Sequence, residues 1–214
     1  MFDKNYVKER FKNHKAIIKF YDNITVLDFK NPNSNEYRIR FLFENDYYRL
    51  HISGDLGELT ATNFNNMTYE KFNDFVRDVG YFETKIDCHS RLIRFYSEES
   101  IRNDVIALLS ETGSVEEFIE NYKMCNYELS DYDDTIVLNK FFDELLYDYS
   151  TEQGLTDRAR KLLAVYLTDE TDAWGENIGK RATGILEWYL TAFQLAQEQL
   201  AKKRTRSDYY DSDM

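Results

Sequence analysis

Hydrophobic and polar positions change their period along this chain, and the changes mark its elements. Tyr6, Val7, Arg10 and Phe11 recur at helical spacing behind Asp3, which predicts a short helix with that aspartate as its N-cap. From Ala16 the period falls to two. Ile17-Ile18-Lys19-Phe20-Tyr21 and Ile24-Thr25-Val26-Leu27-Asp28-Phe29 flank the turn Asp22-Asn23 and read as β-strands. Asn31-Pro32-Asn33-Ser34-Asn35 is a loop holding the only proline. Beyond it Tyr37, Ile39, Phe41 and Phe43 alternate with Arg38, Arg40 and Leu42. Turns at Glu44-Asn45-Asp46 and Gly54-Asp55-Leu56-Gly57 send the chain back through residues 47–53 and 58–64. Tight turns join antiparallel neighbours only, so the pattern predicts an antiparallel meander of four or five strands.

After Asn66 helical spacing takes over. Thr68 is placed to cap a helix carrying Phe72, Phe75, Val76 and Val79, with Gly80 at its end. Ser97 opens the next, with Ile101, Val105, Leu108 and Leu109 on one face and Gly113 behind them. Ser114 and Glu117 form a capping box before Phe118, Ile119 and Tyr122. Asp134 and Thr156 head two further helices, and the longest runs from about residue 176 to 203. Strands first and helices after predict an α+β fold: an N-terminal antiparallel meander followed by a mainly α-helical C-terminal half. The expected division is 1–94 for the sheet with its flanking helices, 95–203 for a helical region, and 204–214 for a frayed polar tail.

Composition narrows the class. Of 214 residues 43% are hydrophobic and 16% aromatic, with eight glycines, so the chain is expected to be a packed, soluble protein rather than a disordered or fibrous one. No apolar run suffices for a membrane span, and the N-terminus lacks a secretory leader; no membrane partner is expected. Two cysteines exclude a disulfide framework, and Cys88 and Cys125 read as reduced thiols, one or both buried.

Charge changes the picture more. The net charge of −12 is uneven: residues 95–176 carry 20 acids and six bases, whereas 1–94 and 177–214 each come to +1. Direct binding of 95–176 to DNA or RNA is therefore disfavoured, because phosphate binding rests on lysine and arginine. Two readings stay open: a solvated acidic surface that keeps the protein soluble, or a surface that occupies a basic groove in competition with nucleic acid. Acids interleave with aromatics at Tyr127-Glu128, Asp131-Tyr132-Asp133-Asp134 and Tyr147-Asp148-Tyr149, which couples phosphate-like charge to flat contact area.

The catalytic signals are weak. His51-Ile52-Ser53-Gly54-Asp55 holds His, Ser and Asp together but lacks a nucleophile elbow, and Gly54 and Gly57 lack a phosphate-loop lysine. No paired Cys or His spacing nucleates a zinc site; His51, Cys88, His89 and Cys125 are the available ligands, for a structural zinc at most. Asp131, Asp133 and Asp134 lack the glycine and distant glutamate of a calcium loop, and Asp169, Glu170 and Asp172 precede Trp174, an aromatic suited to anchoring a protein partner.

His51-Ile52-Ser53-Gly54-Asp55-Leu56-Gly57-Glu58, Asn66-Met67-Thr68-Tyr69-Glu70-Lys71-Phe72, Gly80-Tyr81-Phe82 and Cys88-His89-Ser90-Arg91 together resemble small proteins, without an assigned role, of phages and mobile elements of low-GC Gram-positive bacteria. Proteins similar in size, acidity and origin include the anti-CRISPR proteins, inhibitors of type II CRISPR effector nucleases. The resemblance covers about 40 of the 214 residues and carries no functional residue across. It implies stoichiometric binding in the host cytoplasm rather than turnover. The expectation is a non-enzymatic inhibitor that needs no cofactor. Its acidic helices would dock on the basic nucleic-acid channel of such a nuclease and block guide or target DNA loading. The expected contact residues are Glu116, Glu117, Glu120, Asp131, Asp133, Asp134, Asp143, Glu144 and Asp148, with Tyr132 and Trp174 as anchors. The alternative is a metal-binding domain or metal-dependent enzyme of a mobile element using Cys88 and His89.

Overall fold

The computed structural model describes residues 2–166 and 177–211. The fold is α+β: a six-stranded antiparallel sheet comes first and helices dominate the rest. The chain forms two compact units, one of residues 1–93 with 183–214, the other of 94–182.

In the first unit Asp3 caps α1 (Lys4–Arg10), its Oδ1 accepting from the N–H groups of Asn5 and Tyr6. The sheet is a meander, β1 (Lys15–Tyr21), β2 (Ile24–Lys30), β3 (Ile39–Glu44), β4 (Arg49–Gly54), β5 (Leu59–Thr62) and β6 (Ile86–His89), each pairing with the next. Gly54 stands at φ +150°, and a Cβ there would lie 2.0 Å from the Arg38 carbonyl, so the tight return into the turn requires glycine. Alternation decides the buried face: Ile39, Phe41 and Phe43 of β3 lie inside with Leu27, Phe29, Leu50 and Ile52.

That face is covered by α1, by the short helices α2 (Asn73–Val76) and α3 (Val79–Glu83), and by the last helix, α8 (Ile185–Asp211). Leu186, Tyr189, Leu190, Phe193 and Ala196 of α8 are buried, and the Phe193 ring meets Phe41, Phe43, Tyr69 and Phe72 at centroid distances of 4.8–5.9 Å. Tyr189 donates to the Leu56 carbonyl at 3.0 Å, and burial pushes its phenol up to about 12.

The second unit holds α4 (Glu98–Thr112), α5 (Val115–Cys125), α6 (Asp134–Leu145) and α7 (Asp157–Tyr166), with a two-stranded ribbon of β7 (Arg94–Tyr96) and β8 (Lys180–Ala182). Its core is separate. Phe118, Tyr122 and Phe141 pack ring to ring at 4.7–5.9 Å, above Val105, Val137 and Leu163. Asp104 on α4 holds Arg181 through two bonds of 2.6 and 2.9 Å and accepts from Gly179 N–H at 2.7 Å. The guanidinium and then that N–H keep its carboxyl below the usual range, with burial opposing.

Several expectations are corrected. The sheet has six strands, not four or five, because β6 follows the helices. The long helix starts at Ile185 rather than near 176, and it belongs with the sheet instead of the 95–203 region, since its apolar face packs on β1 and β2 and, through Phe193, on Phe41 and Phe43 of β3. It continues through Asp211, over most of the segment expected to fray; 212–214 lie outside the described residues. Gly80 ends no helix: Asp78 accepts from Tyr81 N–H and starts α3 there. Asp133, one residue earlier than expected, caps α6.

The acidic unit is thus an insertion whose two chain crossings close on each other. Thr183 N–H donates to the Ile93 carbonyl at 2.9 Å, and Arg94 pairs with Ala182 in the ribbon. Replacing 94–182 by three Gly/Ser residues is expected to leave a sheet unit with cooperative urea unfolding followed by circular dichroism, whereas truncation after residue 182 is expected to abolish it.

Buried His14 makes a second prediction. Its Nε2–H donates to the Tyr37 carbonyl at 3.1 Å, Nδ1 has no partner among the described residues, and desolvation holds its pKa below the ordinary value. The unfolded chain therefore binds this proton more tightly. Stability conferred by neutral His14 is expected in full above about pH 6.5 and is lost as the pH falls from there toward the folded-state pKa. Urea titrations from pH 7.5 to 5 should show the decline, and His14→Gln should flatten it.

Candidate partner-binding surface

The charge follows the insertion. Counted by unit, residues 94–182 carry −11 and the sheet unit −1. Helix α5 shows how the acids reach the surface. Ser114 caps it, Oγ accepting from Glu117 N–H at 3.0 Å, and that register turns Phe118, Ile119 and Tyr122 inward. Glu116, Glu117, Glu120 and Met124 then fall on the outer side. Met124 is 62% exposed and Tyr127, in the 3-10 turn Tyr127–Leu129 that follows, is 85% exposed. An acidic helix face therefore ends in two solvent-facing apolar side chains.

The expected contact residues divide into groups. Glu116, Glu117, Glu120 and Asp131 are exposed and make no ion pair among the described residues. Asp133 is engaged as the α6 N-cap, its Oδ1 accepting from Thr135 N–H at 2.9 Å. Asp134 binds the Lys123 ammonium at 2.7 Å. The Lys123 pKa is raised first by that bond, with longer-range attraction from Glu120 and Asp133 adding to it. The remaining acids are held by other helices. Asp143 lies 3.9 Å from Arg102, Glu144 and Asp148 lie 3.8 and 4.0 Å from Arg158, and Glu144 also accepts from the Tyr122 hydroxyl. Burial first, and then Glu144, raise the Tyr122 pKa. Such exposed pairs contribute little energy, yet they dilute the anionic character of that part of the unit.

Tyr132 is less available than expected: the Lys140 ammonium sits 5.1 Å from its ring centroid. Tyr127 and Met124, at the end of α5, are exposed residues missing from the expected contact set. The signal for Met124 was its place on α5 opposite Ile119 and Tyr122. Trp174, with Asp169, Glu170 and Asp172, lies outside the described residues.

The metal candidates are not assembled. His51 and Cys88 both stand opposite Thr60 on the sheet, which spaces them two strands, about 10 Å, apart. His51 Nδ1 meets Thr60 Oγ1 at 3.2 Å and Nε2 lies 3.5 Å from Glu44. His89, the next residue after Cys88, places its ring Nδ1 2.7 Å from the Arg91 carbonyl, and Cys125 belongs to the helical unit. Among the described residues no three His, Cys, Asp or Glu side chains converge on one point. Both cysteines are exposed, contrary to expectation: Cys125 is the last residue of α5, and Cys88 lies in β6, where Asp87, Cys88 and His89 all face solvent. No helix among the described residues is long and apolar enough to cross a membrane.

No family model, no curated protein and no solved structure matches the chain.

Proposed function

We propose that this chain acts by stoichiometric binding rather than catalysis, and that its inserted helical unit docks on a basic surface that otherwise holds a nucleic-acid backbone. The observation that carries the reading is the outer face of α5, where Glu116, Glu117 and Glu120 stand without ion pairs among the described residues, next to exposed Met124 and Tyr127. Carboxylates tied to arginine would have to give up those partners on docking; these do not. The apolar pair adds contact area that a merely solubilising surface has no need of. Asp131, Asp133 and Asp134 extend the anionic surface toward α6, with Lys123 offsetting one charge. Asp143, Glu144 and Asp148 take no part, because Arg102 and Arg158 stand beside them.

The partner class favoured by the sequence resemblance is a type II CRISPR effector nuclease, whose channel grips nucleic acid through backbone charge and is therefore open to competition from a suitably spaced acidic face. The site of action on that reading is the host cytoplasm.

The test is guide RNA loading of such a nuclease, followed by fluorescence anisotropy with increasing protein. Inhibition is expected at near-equimolar protein and is expected to weaken more than tenfold between 50 and 200 mM salt. Glu116→Lys, Glu117→Lys and Glu120→Lys together should remove it while circular dichroism stays unchanged, and Asp143→Lys with Asp148→Lys should leave it within about twofold. Loading that proceeds undisturbed, or inhibition insensitive to both salt and the α5 reversals, refutes the reading.

A further inference from the structure

Strand β1 is an outer strand of the sheet and has a strand partner on one side only. In an antiparallel strand every second residue turns its N–H and C=O the same way. Ala16 N–H points outward to Gln199 Oε1 at 3.1 Å, so Ile18 and Phe20 turn their backbone groups outward too. Gln199 closes only the start of this edge, its Nε2 donating to the His14 carbonyl at 2.8 Å. Among the described residues no further hydrogen bond reaches the outward groups of Ile18 and Phe20.

The side chains here are unusual for an exposed edge. Ile17 and Tyr21 on one face and Phe20 on the other are each about half exposed. Phe20 also continues the interior aromatic row, its ring 6.4 Å from Tyr69. Lys15 stands directly opposite Lys30 across β1 and β2, and Lys19 follows on the same face. None of the three has a counter-ion among the described residues. Like charges directly opposite in a sheet destabilise it, and an anion on the open side of Lys15 offsets that.

We propose that β1 receives an added strand from an extended acidic segment of a partner protein, with carboxylates at every second position on the face of Lys15 and Lys19 and apolar side chains between them packing on Ile18 and Phe20. A second copy of this chain fits less well. Symmetric pairing about Ile18 sets Phe20 of one copy against Ala16 of the other, whose N–H Gln199 already holds. Shifting the pairing to escape Gln199 sets Lys19 against Lys19. The lysines that block self-pairing select a partner of opposite sign. The site lies in the sheet unit and stands independently of the reading of α5.

The probe is a fluorescein-labelled nonapeptide alternating glutamate with valine and tyrosine, titrated with the full-length protein by anisotropy. Saturable binding is expected, weakened roughly fivefold by Lys19→Glu, the effect of about 1 kcal/mol for one charge pair. It should be lost with a peptide N-methylated at alternate amides. Ile18→Pro, which removes an outward N–H while sparing the β1–β2 ladder, should also abolish binding with the melting temperature little changed. Should that variant unfold, the N-methylated peptide with unaltered protein decides the matter. Equal binding of the N-methylated peptide, equal binding of a peptide with lysine in place of glutamate, or no binding at 1 mM overturns the proposal. So does a dimer in sedimentation that Lys19→Glu dissociates.

Discussion

Burial of the sheet's apolar face beneath α8 is the contact on which the rest of the structure depends. Phe41, Phe43 and Leu50 cannot be left in water without forfeiting the hydrophobic gain that offsets the ordering of six strands. The short α2 and α3 and the seven-residue α1 cover part of that face; Tyr189, Leu190 and Phe193 of α8 cover its centre. Because α8 follows residue 182, everything from Arg94 to Ala182 must leave the sheet unit and return to it at one place. The bond from Thr183 to Ile93 and the β7–β8 ribbon are the local consequence of that path.

Segregation of charge follows from the same topology. A block of −11 spread through the sheet's core elements would repel itself across a shared interior; it is confined instead to an insertion with its own aromatic core, where Glu116, Glu117, Glu120 and Asp131 are exposed. Within that unit cations are placed beside particular acids: Arg181 on Asp104, Lys123 on Asp134, Arg102 on Glu98 with Asp143 farther off at 3.9 Å, and Arg158 beside Glu144. Among the described residues Glu116, Glu117 and Glu120 on the outer side of α5, and Asp131 beyond it, keep their charge without an ion pair. The sheet unit carries cations instead, Lys15 and Lys19 along the β1 edge with Lys30 opposite Lys15 on β2.

Local elements were largely legible in the sequence, because their determinants are local. Asp3, Ser97 and Ser114 cap the helices that their positions predict, and the alternation of Ile39, Phe41 and Phe43 gives both the strand and its buried face. Strands β6, β7 and β8 were not, since runs of four or three residues are too short to show a period. Gly80 misled because an aspartate two residues earlier offered a stronger signal for starting a helix than the glycine did for ending one. The acidity of the α5–α6 region was visible, but which carboxylates keep their charge unshared depends on where Lys123, Arg102 and Arg158 lie in space. Amphipathic periodicity shows that α8 buries a face; it does not say against what, and α8 was accordingly grouped with its neighbours in sequence rather than with the sheet.

Helix α8 and the sheet form one body, and the insertion that separates them in the chain forms another. Native-state hydrogen exchange of the intact chain, with denaturant added stepwise, measures this directly. Amides of α8 over residues 188–200 are predicted to open together with those of β2, β3 and β4 and at the same free energy, while α4–α7 open as a distinct set. Opening of α8 together with α4–α7, while the sheet stays protected, would contradict it.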